Sequence, residues 1–424
     1  MRYVIVGASA AGLAAAEAIC SVDPAAEITL LTEEPHPPYC RPLISYVLAG
    51  EAPETLYPLP LPSDGRIRIR TGERAVGLDP VERTVRLASG EGLAYDRLLL
   101  ATGAASKPLG IPGEDAPNVF GFRTRADAEA IDREVAGGAR RAAVLGGGLV
   151  GVKAAHALAR RGLEVTLCIG SGAPLSQVVN PEAGRRVAEA LEAEGIRVRT
   201  GLRPAEIVRE DGRATAVGFE GGEVLPCDLV IRGKGVEPRG ELLGAAGVDA
   251  RQGIPVDEGL RTPLPNVWAA GDAIRAYDVA WGEPRLNAVW PAAVEQGTLA
   301  GRNMAGCDEA YPGSLARNSV KIGPWHLVSA GITRPPDGPF EVREAEDPKG
   351  GYRRVVLRDG RLVGFVAWGP DGSAPPSRAG IVIAAIRRGA SLAELPLDPL
   401  RDRIGWGGFA FPLAPPPFPS IHGR

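Results

Sequence analysis

The chain is poor in the residues that build disulfide frameworks, metal centres and nucleic-acid surfaces. It has 5 cysteines and 4 histidines in 424 residues, and no two cysteines form a C-x-x-C pair. Neither a disulfide-stapled fold nor a metal site is therefore indicated, and we expect a reducing, cytoplasmic setting. The formal net charge is -3 and there is no basic run, so neither nucleic acid nor a membrane surface is an expected partner.

Long apolar runs are also scarce. The N-terminal stretch MRYVIVGASAAGLAAAEAIC resembles a secretory signal, but Gly7, Gly12 and Glu17 interrupt it, and a strand, turn and helix fit it better. No other segment approaches the roughly 18 apolar residues of a membrane span. Glycine (56) and proline (39) are abundant, and 45% of the chain is hydrophobic. A turn-rich α/β protein with two or three domains is expected, because this length exceeds what one core usually serves.

The first unit of the chain has the pattern of a nucleotide-binding turn. A β-branched strand from Tyr3 to Val6 runs into a turn that matches G-x-G-x-x-G, with Ser9 at the middle glycine. Small residues there let the backbone approach a pyrophosphate, whose charge then faces the N-terminus of the following helix. The next strand ends at Glu33, where a carboxylate would accept hydrogen bonds from a ribose. A tight structural turn is the alternative, and the surrounding strand, helix and acid favour the nucleotide site.

A second unit, RAAVLGGGLVGVKAAHALARRGLEVTLCI, repeats the pattern with glycine at 146, 148 and 151. Two such units indicate two dinucleotides, one of them a cofactor and the other a substrate, which is an oxidoreductase arrangement. The second unit has Gly170 where the first has Glu33, and no arginine follows it directly to hold a 2′-phosphate. The choice between NADH and NADPH is therefore left open. NADH is preferred only because the sequence shows no residue that would hold a 2′-phosphate.

Further motifs point to a family. YDRLLLATGA and LPNVWAAGDA each predict a strand that runs into a turn, and they accompany the two glycine turns in a fixed order. Over about residues 1 to 310 the chain resembles the pyridine nucleotide-disulfide oxidoreductase superfamily. Within it, PPYCRPLISYVLAG and PAAVEQGTLAGRNMAG are similar to the branch of rubredoxin and ferredoxin reductases, NADH oxidases and nitrite reductase flavin domains. This resemblance implies an α/β fold with two Rossmann-like FAD- and NAD(P)-binding domains, each of three layers (ββα), and a C-terminal α+β interface domain.

The resemblance also implies a set of site residues. FAD would be held by Gly7, Ser9, Ala10, Ala11, Gly12, Glu33, Arg41, Pro42, Ala75, Ala101, Thr102, Gly103, Arg123, Gly271, Asp272, Trp290 and Pro291. NAD(H) or NADP(H) would lie at Gly146, Gly148 and Gly151. Arg41 would be a charge partner of the pyrophosphate, and the positive end of the helix opened by Pro291 would favour the reduced flavin. Purely structural roles for Ala75, Arg123 and Trp290 stay open.

The resemblance implies an enzyme without a redox-active cysteine. Thiol-dependent relatives carry their cysteine near the C-terminal end of the LISYVLAG segment, in a slot that is Ala49 here, so Cys40 is interpreted as a packed or partly exposed turn residue. One departure from the family is Lys153, which replaces a glutamate near the nicotinamide. It would change the local electrostatics, or it would simply be a helix residue reaching solvent. No catalytic side chain is predicted.

The predicted domains are discontinuous. Residues 1–110 and 250–317 would form the FAD-binding domain, 111–249 the NAD(P)-binding domain, and 318–424 an interface or dimerisation domain. In the last part Asp359-Gly360 predicts a hairpin turn, RAGIVIAAIRRG predicts a helix, and the proline-rich tail FAFPLAPPPFPSIHGR is expected to be extended.

The expected function is exchange of electrons between a nicotinamide nucleotide and an iron-sulfur or rubredoxin-type protein through FAD, which itself converts a two-electron donor into single electrons. One alternative is an FAD/NAD-binding subunit of a larger complex of the aldehyde oxidoreductase or nitrite reductase type. Iron-sulfur clusters would then belong to the partner, because the chain shows no cluster ligands. Another is a thiol-dependent NADH peroxidase or disulfide reductase. The acceptor, the direction of electron flow and the choice between a homodimer and a hetero-oligomeric complex are left open by the sequence.

Overall fold

The structure is a computed structural model of the chain that describes residues 1–50, 65–346, 348–370, 375–395 and 398–400. The prediction for the proline-rich tail falls outside these residues. Three five-stranded sheets dominate the described part of the chain, two of them parallel and one antiparallel. None of the helices in the described ranges is long and apolar enough to cross a bilayer.

Four strands of the first sheet are mostly apolar, as expected for strands buried on both faces, whereas the edge strand Ile67–Thr71 alternates apolar and polar residues. All its strands are parallel. In spatial order they are Val267–Ala269, Arg97–Leu100, Arg2–Val6, Glu27–Thr32 and Ile67–Thr71. Since the edge strand Val267–Ala269 comes from far along the chain, the sheet joins the N-terminal segment to a later one.

Two helices pack closely beside this sheet, Ala10–Val22 and Trp290–Met304. A Cβ atom at Gly297 would lie 2.1 Å from the carbonyl oxygen of Ala11, and one at Gly301 would lie 2.4 Å from that of Ala15. The two helices therefore approach backbone to backbone, which only glycine permits at these positions.

The second sheet repeats the first in kind. Its strands are again parallel and mostly buried. In spatial order they are Arg197–Thr200, Glu164–Ile169, Arg141–Leu145, Leu229–Arg232 and Val119–Phe120. Its helices are Arg125–Ala136, Leu149–Arg160 and Pro181–Ala193. The prediction of two Rossmann-like units is confirmed.

The third sheet is antiparallel and lies in the C-terminal part of the chain. Its spatial order is Arg317–Ile322, Trp325–Gly331, Arg361–Pro370, Tyr352–Arg358 and Phe340–Glu346. Asp359 and Gly360 join two of these strands with φ angles of 53° and 71°, as a two-residue hairpin requires, so the predicted hairpin is confirmed. The predicted helix is Pro375–Arg388, whose buried Val382 packs in the apolar cluster of this sheet.

Smaller elements complete the described residues. A three-stranded antiparallel sheet accompanies each parallel sheet: Ala75–Asp79, Thr84–Leu87 and Gly92–Ala94 for the first, Pro204–Glu210, Arg213–Phe219 and Val224–Pro226 for the second. Other short strands are Ile254–Pro255, Ile274–Asp278 and Glu283–Arg285, with Ala104–Ser106 paired to Val236–Pro238. Short helices are Arg41–Leu43, Ile44–Leu48, Glu241–Gly244, Gly271–Ala273 and Leu392–Glu394. The domain boundaries stay a prediction.

Candidate nucleotide-binding cleft

The first glycine turn brings the backbone of strand and helix into contact. Gly7 has a φ of +117°, and a Cβ atom on it would lie 2.0 Å from the carbonyl oxygen of Ala101. A Cβ at Gly12 would lie 1.8 Å from the oxygen of Gly7. The helix begins after Ser9, whose side chain makes no capping hydrogen bond. The first-turn amides are thus left without a side-chain acceptor, as an anion-binding helix N-terminus requires.

The second glycine turn has the same construction. Gly146 has a φ of +123°, and a Cβ at Gly151 would lie 1.9 Å from the oxygen of Gly146. Gly148 is the N-cap of the following helix, again without a side-chain cap. Both turns therefore combine a close backbone contact between strand and helix with a helix N-terminus that has no side-chain cap.

A cleft of about 940 Å³ runs along the first turn, which is a size typical of cofactor sites. Most of the residues that the sequence predicted for FAD line it together: Gly7, Ser9, Ala10, Ala11, Glu33, Arg41, Pro42, Ala75, Ala101, Thr102, Gly103, Arg123, Gly271, Asp272, Trp290 and Pro291. Gly12 lies behind the turn, where it contacts Gly7. Gly146, Gly148 and Gly151 do not line this cleft, but Leu149, Val150 and Lys153 of the same helix do.

Glu33 lines the cleft directly after the strand Glu27–Thr32. Arg239 donates a 3.0 Å hydrogen bond to its Oε2, and the Nε of Arg74 lies 3.8 Å away. The hydrogen bond from Arg239 holds the pKa of Glu33 below its usual value, so its carboxylate stays charged. Thr102 fixes Arg239 in turn, because its hydroxyl donates to the carbonyl oxygen of Arg239 at 2.5 Å.

Arg41 is held by a network behind the cleft. Its guanidinium forms an ion pair with Glu34 and lies 5.4 Å from the centre of the Tyr39 ring. The Tyr39 hydroxyl donates to Glu34 at 2.7 Å and accepts from the backbone amide of Arg125 at 2.7 Å. Burial raises the pKa of Tyr39, which therefore stays protonated as a donor. The network places one positive charge at the cleft wall with a defined orientation.

Arg123 and Asp272 meet across the cleft although they come from distant parts of the chain. Their side chains form a 2.6 Å ion pair, and Arg123 also donates to the carbonyl oxygen of Ala104 at 2.6 Å. Buried Gln296 accepts a 2.9 Å hydrogen bond from the amide of Gly271 and so fixes the turn that carries Asp272. These contacts hold the carboxylate of Asp272 at the cleft wall, where its oxygens can accept further hydrogen bonds.

Two further cations line the cleft without a partner among the described residues. Lys153 is half-buried, and burial lowers the pKa of its ammonium group. The Nε of Arg232 is buried and has no hydrogen-bond acceptor in the part of the chain that the structure describes. Because an unpaired buried donor is costly, these groups fit a cleft that takes a polar, anionic ligand. The small-residue turn, Glu33, Arg41 and Asp272 likewise fit an extended dinucleotide such as FAD.

Cys40 lies at the start of the Arg41–Leu43 turn and is half-buried. Burial raises the pKa of its thiol, and the nearby Lys153 lowers it only to a smaller extent. Arg41 and Pro42 line the cleft, whereas Cys40 is not among the lining residues. Its surroundings therefore favour a thiol over a reactive thiolate.

Several residues that shape the cleft were missed by sequence reasoning. They are Glu34, Tyr39, Arg74, Arg232, Arg239 and Gln296. Tyr39 and Gln296 fall inside quoted family segments, so their neighbourhood could have suggested them. Arg239 lies 206 residues from Glu33, and no local pattern links the two.

Known proteins resemble the chain over most of its length. The family described as pyridine nucleotide-disulphide oxidoreductase matches residues 1–297. The epsilon subunit of NADH-dependent phenylglyoxylate dehydrogenase from Aromatoleum evansii is 33% identical, over 86% of this chain and 87% of that protein. The ferredoxin–NAD(+) reductase component of a biphenyl dioxygenase system from Paraburkholderia xenovorans (strain LB400) is 34% identical, over 84% and 86% respectively.

Among solved structures, an NAD-dependent persulfide reductase from A. fulgidus superimposes with a TM-score of 0.87 at 25% identity, covering 94% of this chain and 79% of that one. The chain spans only 50% and 47% of the length of two other curated relatives. The match over both glycine turns is consistent with the cleft described above. The chain belongs to the pyridine nucleotide-disulphide oxidoreductase family, and it is an FAD-dependent oxidoreductase that uses NAD(P)H.

Proposed function

We propose that this protein transfers electrons between NAD(P)H and an iron-sulfur or rubredoxin-type protein through FAD, without a redox-active cysteine. The observation that carries the proposal is that the helix after the second glycine turn lines the same cleft as the first turn, through Leu149, Val150 and Lys153. A nucleotide held at Gly146–Gly151 would thus border the FAD cleft. The relative from Paraburkholderia xenovorans is named for ferredoxin, which supports the class of acceptor.

The chain's own residues would bind and orient rather than transfer protons. Glu33 and Asp272 would accept hydrogen bonds from hydroxyl groups of FAD, and Arg41 would neutralise its phosphates. The helix that begins at Trp290 would direct its positive end into the cleft. When bound, FAD supplies the conversion between a two-electron donor and a one-electron acceptor. No general acid or base is required, which agrees with the pairing of Glu33 and Asp272 to arginines.

The test is anaerobic stopped-flow reduction of the FAD-loaded protein by NADH and, separately, by NADPH, followed by addition of a ferredoxin or a rubredoxin. We expect rapid loss of the flavin absorbance and its recovery only after an acceptor protein is added. If neither NADH nor NADPH bleaches the flavin absorbance, the proposal is contradicted.

A Cys40→Ser variant tests the thiol-independent part of the proposal. Turnover with the acceptor protein should stay within twofold of the wild type, and Cys20→Ser, at another half-buried cysteine, is the matched control. A loss of tenfold or more in Cys40→Ser alone would favour the thiol-dependent alternative.

A second candidate is a flavin-bearing subunit of a larger complex. The similarity to an epsilon subunit over 86% of the chain favours it. Purification of the tagged chain from its own cells would distinguish this second function from the first. A stoichiometric iron-sulfur partner, together with slow turnover of the isolated chain, is the result expected for this second function.

A further inference from the structure

The two glycine units differ in charge directly after the second strand of each unit, counted along the chain. In the first sheet, the strand Glu27–Thr32 is followed directly by Glu33. In the second sheet, the strand Glu164–Ile169 is followed by Gly170 and Ser171. An acid at this place binds the 2′-hydroxyl of NAD and repels the 2′-phosphate of NADP. Gly170 removes that repulsion.

The loop after the next strand fills the neighbouring space. The amide of Leu202 donates to the carbonyl oxygen of Ile169 at 3.0 Å, and the amide of Gly201 donates to that of Ser171 at 3.4 Å. This loop therefore lies alongside the strand end at a fixed register. It places Arg203 against Gly170, whose Cβ atom, if present, would lie 3.7 Å from the Cγ of Arg203.

The guanidinium of Arg203 is exposed and unengaged. No described residue forms a hydrogen bond or an ion pair with its side chain, whereas its neighbours Arg199, Arg209 and Arg213 each pair with a carboxylate. A free guanidinium offers a planar fork of donors that matches a phosphate monoester. The hydroxyl of Ser171, also exposed, lies at the same edge, where it donates to the carbonyl oxygen of Ala173 at 3.2 Å.

We propose that Arg203 binds the 2′-phosphate of NADPH and that the chain therefore prefers NADPH over NADH. The inference rests on the proposed function, because it requires a nicotinamide nucleotide at the second glycine turn. The arginine follows the third strand of the unit, so the absence of an arginine directly after Gly170 does not leave the site without a phosphate partner.

Binding of nucleotide fragments to the FAD-loaded wild-type chain tests the proposal independently of turnover. Isothermal titration should give 2′,5′-ADP a dissociation constant at least tenfold lower than that of 5′-AMP, since the two fragments differ only in the 2′-phosphate. In Arg203→Ala the two constants should become equal within about twofold, through loss of affinity for 2′,5′-ADP alone. Arg197→Ala, at the exposed start of the strand Arg197–Thr200 that precedes Arg203, is the matched control and should keep the preference.

A reciprocal variant keeps the test informative. Gly170→Asp restores the acid of NAD-binding units, and its Cβ would make only ordinary van der Waals contact, so we expect it to fold. It should reverse the preference, so that 5′-AMP binds more tightly than 2′,5′-ADP by tenfold or more. Equal affinities for 5′-AMP and 2′,5′-ADP in the wild type would overturn the assignment of Arg203 while leaving the proposed function intact. Binding of neither fragment would overturn both.

Discussion

Glu33 lies at the carboxyl end of its strand, with the guanidinium groups of Arg239 and Arg74 against its carboxylate. Because the charged carboxylate is a stronger acceptor for ribose hydroxyls than a neutral amide, Glu33→Gln should weaken FAD binding. We expect a loss of about tenfold at pH 7, or about 1.4 kcal/mol. Titration of the FAD-free protein with FAD, followed by flavin fluorescence, measures it.

The ionisation of Glu33 should also make FAD binding depend on pH. Arg239 lowers the pKa of Glu33, so the contribution of this carboxylate is complete above the ordinary glutamate pKa of about 4.3 and is lost as the pH falls through the lower folded-state value. Acidification below that window should weaken FAD binding in the wild type more than in Glu33→Gln. Glu27→Gln, at the exposed opposite end of the same strand, is the control. Equal FAD affinity of Glu33→Gln and the wild type would contradict the assigned role.

Single residues were predictable where their signal was local. Glu33 follows from its distance to a glycine turn, and Gly7 from the small-residue pattern of that turn. The partner of Glu33 was not predictable, because Arg239 belongs to a different segment that only folding brings close. The same holds for Arg203, which reaches Gly170 through a loop of the next strand.

At the scale of elements, the contact between the helices Ala10–Val22 and Trp290–Met304 fixes the position of the cleft wall. Gly297→Ala would place a methyl group 2.1 Å from the carbonyl oxygen of Ala11 and force the helices apart. We expect a loss of about 1–3 kcal/mol in stability, seen as a lower thermal midpoint. FAD should also be retained less well, because Trp290 at the start of the displaced helix lines the cleft.

Gly380 provides a control that separates the effect of close packing from the effect of helix propensity in a glycine-to-alanine substitution. Apart from its chain neighbours and the backbone of its own helix, no heavy atom of the described residues lies within 4 Å of a Cβ built at Gly380, in the helix Pro375–Arg388. Gly380→Ala should therefore be neutral or stabilise the protein by up to about 1 kcal/mol. If Gly297→Ala behaved like Gly380→Ala, the close helix contact would not be the element that positions the wall. The sequence predicted the start of the helix from Trp290-Pro291, but the face that it buries depends on a partner helix almost three hundred residues earlier.

At the scale of the whole molecule, the third sheet and its helix meet the cleft instead of standing apart. Arg317, Asn318 and Ser319 of its first strand line the cleft, as does Ile383 of the helix Pro375–Arg388. Sequence reasoning predicted alternating strands in this part of the chain, and the family resemblance implied that they form an interface domain. It did not predict this contribution to the cleft, because alternation reports which face of a sheet is buried and not which other surface buries it.

Glu295 ties the C-terminal part to the rest of the molecule. It lies on the helix Trp290–Met304 and accepts hydrogen bonds from Arg317 at 2.8 Å and from Arg387 at 2.6 Å. Glu295→Gln would leave two half-buried guanidinium groups without a counter-charge, at a cost of about 1–3 kcal/mol. The effect should concentrate in one region, with faster amide hydrogen exchange in the helix Pro375–Arg388 and in the strand that begins at Arg317.

Glu341→Gln is the matched control for Glu295→Gln, because Glu341 pairs with Arg343 on an exposed strand and both side chains are about half exposed, at 55% and 50%. An exposed pair of this kind contributes about 0–1 kcal/mol, so its loss should leave exchange in the helix Pro375–Arg388 unchanged. Uniformly faster exchange in Glu295→Gln would mean a general loss of stability. Unchanged exchange would mean that apolar packing alone holds the C-terminal part against the cleft. Only faster exchange confined to the helix Pro375–Arg388 and the strand that begins at Arg317 would show that Glu295 couples the C-terminal part to the cleft.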